Sequence, residues 1–153
     1  MMMVSDAGET KRIESKLEVD TYIERLRYAI RSGNAYIQFQ ERRRVDEGRD
    51  VRYSNGFTVH DLFPDEDVVA ALKRELVLLT SDEYIETLKD LKHNNRADLR
   101  VFGRCYTADV YIKLRVELMK SSSAGVENAI FVMSFHYAEH PFCSDMFPHK
   151  KDR

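Results

Sequence analysis

Ten residues, DVYIKLRVEL at 109–118, set the strongest constraint on this chain. Val110, Ile112, Leu114, Val116 and Leu118 alternate with Tyr111, Lys113, Arg115 and Glu117. Side chains on a strand point alternately to opposite faces, so this pattern demands a strand with one apolar and one polar face. The apolar face requires a core to cover it. The polar face carries a phenol, an ammonium and a guanidinium, which can either meet water or hold a phosphate chain.

Two further alternating runs flank a meander. The pattern predicts strands over 98–106, 109–119 and 128–136, with Thr107-Ala108 as a tight turn and 121–125 (SSSAG) as the next link. Short links between consecutive strands imply antiparallel pairing. Upstream, Val19, Tyr22, Ile23, Leu26, Ala29 and Ile30 recur at helical spacing and Gly33 supplies a stop, predicting a helix over 18–32. Residues 35–40 alternate and predict a strand. Residues 41–55 are dense in charge and end at Asn55-Gly56, which reads as a mobile loop or ribbon closing in a turn before a short strand at 57–60.

Pro64 with Asp65, Glu66 and Asp67 suits a helix start, with Val68, Val69, Ala71, Leu72 and Leu76 as its buried stripe. Thr80 and Glu83 have capping-box spacing and predict another helix to about residue 91. The expected fold is α+β: a small, mostly antiparallel sheet with helices on one face. Residues 1–15 read as a flexible lead-in, 16–137 as one domain and 138–153 as a tail or wrapping segment.

Charge is the next constraint. The 153-residue chain has a net charge of −2, which argues against a uniformly basic surface. The charge is segregated, however. Residues 61–90 carry nine acids against three bases, whereas 91–120 carry seven bases against three acids. A local positive field can therefore exist in an acidic protein. No run of about 18 apolar residues suggests a membrane span, and the first fifteen residues do not read as a signal peptide. Two cysteines, Cys105 and Cys143, suggest no disulfide framework and a reducing, cytoplasmic compartment. Cys105 reads as a packing residue on the apolar face.

If Thr107-Ala108 is a two-residue turn, Arg100, Phe102, Arg104 and Tyr106 share a face with Tyr111, Lys113 and Arg115. Cations neutralise phosphates and rings stack on bases, so such a face is a candidate RNA platform, with Arg100, Arg104, Phe102, Tyr106 and Arg115 as RNA contacts. A merely solvated amphipathic hairpin fits the same pattern. His136 ends the last strand, and imidazole suits proton transfer near neutrality. It could serve catalysis with Tyr111 and with Lys113 or Arg104, or be a hydrogen-bonded structural residue. The run His136, His140, Cys143, His149 lacks a companion ligand pair at a familiar zinc spacing, so no metal or other cofactor is expected. Arg42-Arg43-Arg44 is a compact basic run beside acids. Phosphate-binding glycine loops and nucleophile-elbow motifs are absent from the sequence.

Several motifs, taken in order, resemble one family. They are AIRSGNAYIQF at 29–39, DLFPDEDVVAALKRELVLLTSDEYIETL at 61–88, DLRVFGRCYTADVYIKL at 98–114 and VMSFH at 132–136. Together they are similar to the MqsR-like toxins of bacterial toxin–antitoxin systems, within the wider RelE-like ribonuclease fold. The resemblance implies a ribosome-independent mRNA endoribonuclease neutralised by a cognate antitoxin protein. It aligns Tyr111 and Lys113 with the family's tyrosine–x–lysine motif and His136 with a catalytic lysine position. Glu86 stands where the family has a lysine, with Lys89 one helical turn on as the nearby substitute, and Ala97 stands in place of a glutamine. The expected catalytic set is therefore His136, Tyr111, Lys113 and Lys89. The departures make a catalytically inactive protein- or RNA-binding module on the same fold the alternative expectation.

Overall fold

A computed structural model describes residues 3–4, 9–33, 35–42, 48–90, 97–118 and 128–151. The expected exits at 93–95 and 121–125, together with Arg43 and Arg44, lie outside the described residues.

The fold is α+β. Its helix α1 (Lys16–Arg31) starts at a complete capping box: the Ser15 hydroxyl accepts from Glu18 N and the Glu18 carboxylate accepts from Ser15 N, each at 3.1 Å. Val19, Ile23, Leu26 and Ala29 form its buried stripe. Ser32 caps the end and Gly33 follows at φ +78°, a conformation that favours glycine.

Among the described residues, seven strands form one sheet: β1 (Met3–Val4), β2 (Glu9–Arg12), β3 (Ala35–Phe39), β4 (Tyr84–Asp90), β5 (Leu99–Cys105), β6 (Asp109–Leu118) and β7 (Asn128–Tyr137), in the spatial order β1-β2-β4-β5-β6-β7-β3. Every pair is antiparallel except β3 with β7. The meander β5–β6–β7 is thus as the alternation predicts. The sheet also extends into the expected lead-in, because Glu9–Arg12 pairs with β4.

Helices α1, α2 (Asn55–Leu62) and α3 (Val68–Leu76) share one core with the sheet. Ile37, Phe102, Val110, Ile112, Leu114, Ile130, Val132 and Phe135 face it from the strands. Burying each such large apolar side chain contributes about 1.5–3 kcal/mol. The opposite sheet face carries Ile85, Leu88, Leu99 and Val101, covered by Met146 and Phe147 of the C-terminal segment.

Three elements differ from expectation. Residues 57–60 lie in α2 rather than a strand, and Asn55-Gly56 opens that helix, with the Ser54 hydroxyl accepting from Phe57 N at 3.2 Å. Asn55 is buried because its amide serves the sheet edge. Its Nδ2 donates to Met133 O (3.0 Å) and Gln40 O (2.8 Å), while its Oδ1 accepts from Phe135 N (2.9 Å). The side chain thereby continues the hydrogen-bonding edge of β7 beyond Val132, where the pairing with β3 stops. Residues 84–90 form strand β4 rather than a helix. The Thr80–Glu83 capping box exists, yet it opens only a single 3₁₀ turn. Helix α3 begins at Val68 behind the cap Asp67 rather than at Pro64, and Val69 is exposed instead of buried.

Candidate functional site

The register of the β5–β6 hairpin decides which polar groups can act together. Cys105 pairs with Asp109, Gly103 with Tyr111, and Val101 with Lys113. The loop is therefore three residues, one longer than Thr107-Ala108 alone. A one-residue change in register moves every side chain to the other face. The expected shared face of Arg100, Phe102, Arg104 and Tyr106 with Tyr111, Lys113 and Arg115 is corrected accordingly: the first four lie on the helix side, and Tyr111 and Lys113 lie opposite.

On the helix side the arginines hold the structure together. Arg100 forks onto buried Glu14, with Nε to Oε1 at 2.8 Å and Nη2 to Oε2 at 3.1 Å, and its guanidinium lies 4.4 Å from the centre of the Tyr22 ring. Burial raises the Glu14 pKa, but hydrogen bonds from Arg100 and Thr87 and the charges of Arg100 and Arg12 more than offset this and hold it below its ordinary value. Arg104 forks onto Glu83 at 2.6 and 2.9 Å and donates to Glu75 O at 3.0 Å. The Tyr106 hydroxyl donates to Glu75 Oε1 at 2.8 Å. Burial pushes that phenol well above its ordinary value, against the lowering effect of the Arg104 charge. Phe102 is fully buried. Lys89, paired with Thr10 across β2 and β4, is exposed but shares the face of Thr87 rather than that of Tyr111.

The other face brings together Tyr111, Lys113 and His136. Tyr111 is the cross-strand partner of His136, and Lys113 that of Ser134. The Tyr111 and His136 rings stack, with centroids 5.4 Å apart and planes inclined by 22°. His136 Nδ1 lies 3.0 Å from Tyr137 O. A carbonyl only accepts, so Nδ1 carries the proton and the neutral ring holds its lone pair on Nε2. Arg115 shares this face but is buried, with its guanidinium 4.8 Å from the Phe131 ring centre and Nε 3.2 Å from Glu117 Oε1.

Tyr111, Lys113, Ser134 and His136 floor a cleft of about 430 Å³. Its walls come from the segment leading into α2 (Arg49, Tyr53 and Ser54), from the first α2 residue, Asn55, and from the C-terminal segment (Glu139, His140, Phe142 and Met146). Arg49 Nε sits 3.1 Å from Glu139 Oε1, joining the two walls. Arg49 lies in the stretch that the charge density predicts as a mobile loop, and the sequence marks His140 only as a possible metal ligand. His149, from the same histidine run, instead stacks on Tyr84 with centroids 5.7 Å apart. Among the described residues, no group of three or more His, Cys, Asp or Glu is placed to hold a metal. Cys105 ends β5 and is exposed, rather than packed on an apolar face. No helix among the described residues is long and apolar enough to cross a membrane.

The cleft thus offers two imidazoles, two phenols, the Lys113 ammonium and the Arg49–Glu139 pair within one concavity, a set able to move protons and to counter anionic charge. Comparison of the chain with protein-family models, curated proteins and solved structures finds no match.

Proposed function

We propose that this chain is an endoribonuclease of the MqsR-like kind, cleaving mRNA by acid–base chemistry in the Tyr111–Lys113–His136 cleft and controlled by a cognate antitoxin protein. The observation that carries the reading is the stack of Tyr111 on His136 beside Lys113, in a cleft that also holds Arg49. In this reaction the 2′-oxygen attacks the adjacent phosphorus and the 5′-oxygen leaves. His136 Nε2 takes the proton of the 2′-hydroxyl. Lys113 counters the charge that builds on the phosphorane oxygens, and Tyr111 fixes the plane of the imidazole.

The platform is smaller than a whole basic-aromatic face, because Arg100 and Arg104 are committed to Glu14 and Glu83. Base stacking and phosphate neutralisation fall instead to the groups around the cleft. The test is incubation of the purified chain with ribosome-free RNA, alongside expression in growing cells. Cleavage and growth arrest, both abolished by His136→Ala, support the reading; intact RNA and unaffected growth end it.

One observation favours a second reading, a non-enzymatic module that binds protein. Leu17 and Tyr28 are 76% and 75% exposed and fall on one stripe of α1. Large exposed apolar side chains on one helix stripe suit a partner surface. Co-purification of a tight partner with a chain that leaves RNA intact would select this reading.

A further inference from the structure

We infer that His140 is a second proton-transferring residue of the cleft, the general acid that complements His136. The inference rests on the RNA-cleaving reading and deepens it.

His140 sits in a five-residue loop, 138–142, whose two ends are tied to one residue. Ala138 N donates to the Asp109 carbonyl at 2.9 Å, and Phe142 N donates to Asp109 Oδ2 at 2.8 Å. Asp109 begins β6, the strand that carries Tyr111 and Lys113. The loop is braced from three further directions. Glu139 pairs with Arg49 across the cleft. The Phe142 ring lies directly on Gly103, where an added Cβ would come within 2.7 Å of the ring. Pro141 fixes its own φ and disfavours helical backbone at His140. A short loop restrained in this way presents the exposed His140 at the cleft that already holds His136.

The chemistry calls for such a group. The O2′–P bond forms as the P–O5′ bond breaks, and the two oxygens lie on opposite sides of phosphorus. One proton must leave the 2′-hydroxyl and another must reach the 5′-oxygen. His136, whose Nδ1–H is held by Tyr137 O, has its lone pair on Nε2 and accepts the first. His140 donates the second from a ring nitrogen. The products are a 2′,3′-cyclic phosphate and a 5′-hydroxyl, and solvent returns both histidines to their starting protonation.

The experiment compares wild type, His140→Ala and His136→Ala on two RNAs, one ordinary and one with sulfur in place of the bridging 5′-oxygen at a single cleavable linkage. A thiolate leaves without protonation, so the sulfur substrate removes the need for a general acid. His140→Ala should cleave ordinary RNA at least about 100-fold more slowly. It should cleave the sulfur-bridged RNA within about threefold of wild type, whereas His136→Ala stays slow on both. His140 is exposed, so circular dichroism of the variant should match wild type. Ordinary-RNA cleavage at the wild-type rate by His140→Ala overturns the inference and leaves the RNA-cleaving reading standing. Equal slowing on both substrates overturns the general-acid role in favour of positioning. A wild type inert on both RNAs overturns the reading itself.

Discussion

Tyr111 and His136 face each other across β6 and β7, and their rings stack with centroids 5.4 Å apart. The pairing fixes where the imidazole can point, since the ring is held on one side by the phenol and at Nδ1 by the Tyr137 carbonyl. A catalytic group gains from such restraint because less motion is frozen at the moment of reaction. Tyr111→Leu, which removes the aromatic partner, should lower RNA cleavage about tenfold or more while the domain stays folded. Tyr111→Phe, which keeps the stack, should lose less. The check is initial cleavage rates together with the His136 ring resonances by NMR; unchanged resonances in Tyr111→Leu would remove the orienting role.

Lys113 and Lys89 separate by face. Lys113 lines the cleft, whereas Lys89 projects from the helix side of β4. Each lysine that neutralises a phosphate adds about one unit to the salt dependence of RNA affinity. Lys113→Ala should therefore weaken RNA binding and lower that slope by about one, while Lys89→Ala leaves both unchanged. Fluorescence anisotropy over a salt series checks it, and equal effects of the two variants would contradict the assignment.

Much of the architecture is legible in the residues themselves. The alternation in 99–105, 109–118 and 128–137 marks three strands, and the spacing of Val19, Ile23 and Leu26 marks α1. What is not legible is the hairpin register. Tyr106-Thr107-Ala108 admits a two- or a three-residue loop, and that single residue exchanges the faces of Arg100 and Arg104 with those of Val101 and Gly103. A second failure has a local cause. The Thr80–Glu83 capping box that signals a helix start is present, but it closes a single 3₁₀ turn before the chain enters β4. The cleft walls escape a sequence reading because Arg49 and His140 come from segments without periodicity and are brought together through the Glu139 ion pair and the Asp109 ties.

Gly103 tests whether the C-terminal segment is a wall of the site or a passive tail. A Cβ at this position would come 2.7 Å from the Phe142 ring, closer than packed carbon atoms allow. Gly103→Ala should cost about 1–3 kcal/mol in stability, by overpacking. It should also reduce RNA cleavage by displacing loop 138–142. Urea denaturation and cleavage rates on the same preparation check both; a stability loss with full activity would show that the wall does not matter to the chemistry.

Glu14 gives the fold a pH dependence of known sign. Its folded pKa lies below its ordinary value of 4.5, so the native state favours the carboxylate. The stabilisation is complete above pH 4.5 and is lost as pH falls through the lowered folded pKa. Glu14→Gln leaves the Arg100 guanidinium without its charge partner and should cost about 3–5 kcal/mol at pH 7. The variant should also lose less stability than wild type between pH 5 and pH 3. Urea melts across that range decide it, and parallel curves for the two proteins would contradict the assignment.

The most direct measurement is cleavage of a ribosome-free, single-stranded RNA by the purified chain, with the new ends identified chemically. The account predicts 2′,3′-cyclic phosphate and 5′-hydroxyl termini, produced at least about 100-fold more slowly by a folded His136→Ala variant. RNA left intact by the wild type, or cut as fast by His136→Ala, would contradict it.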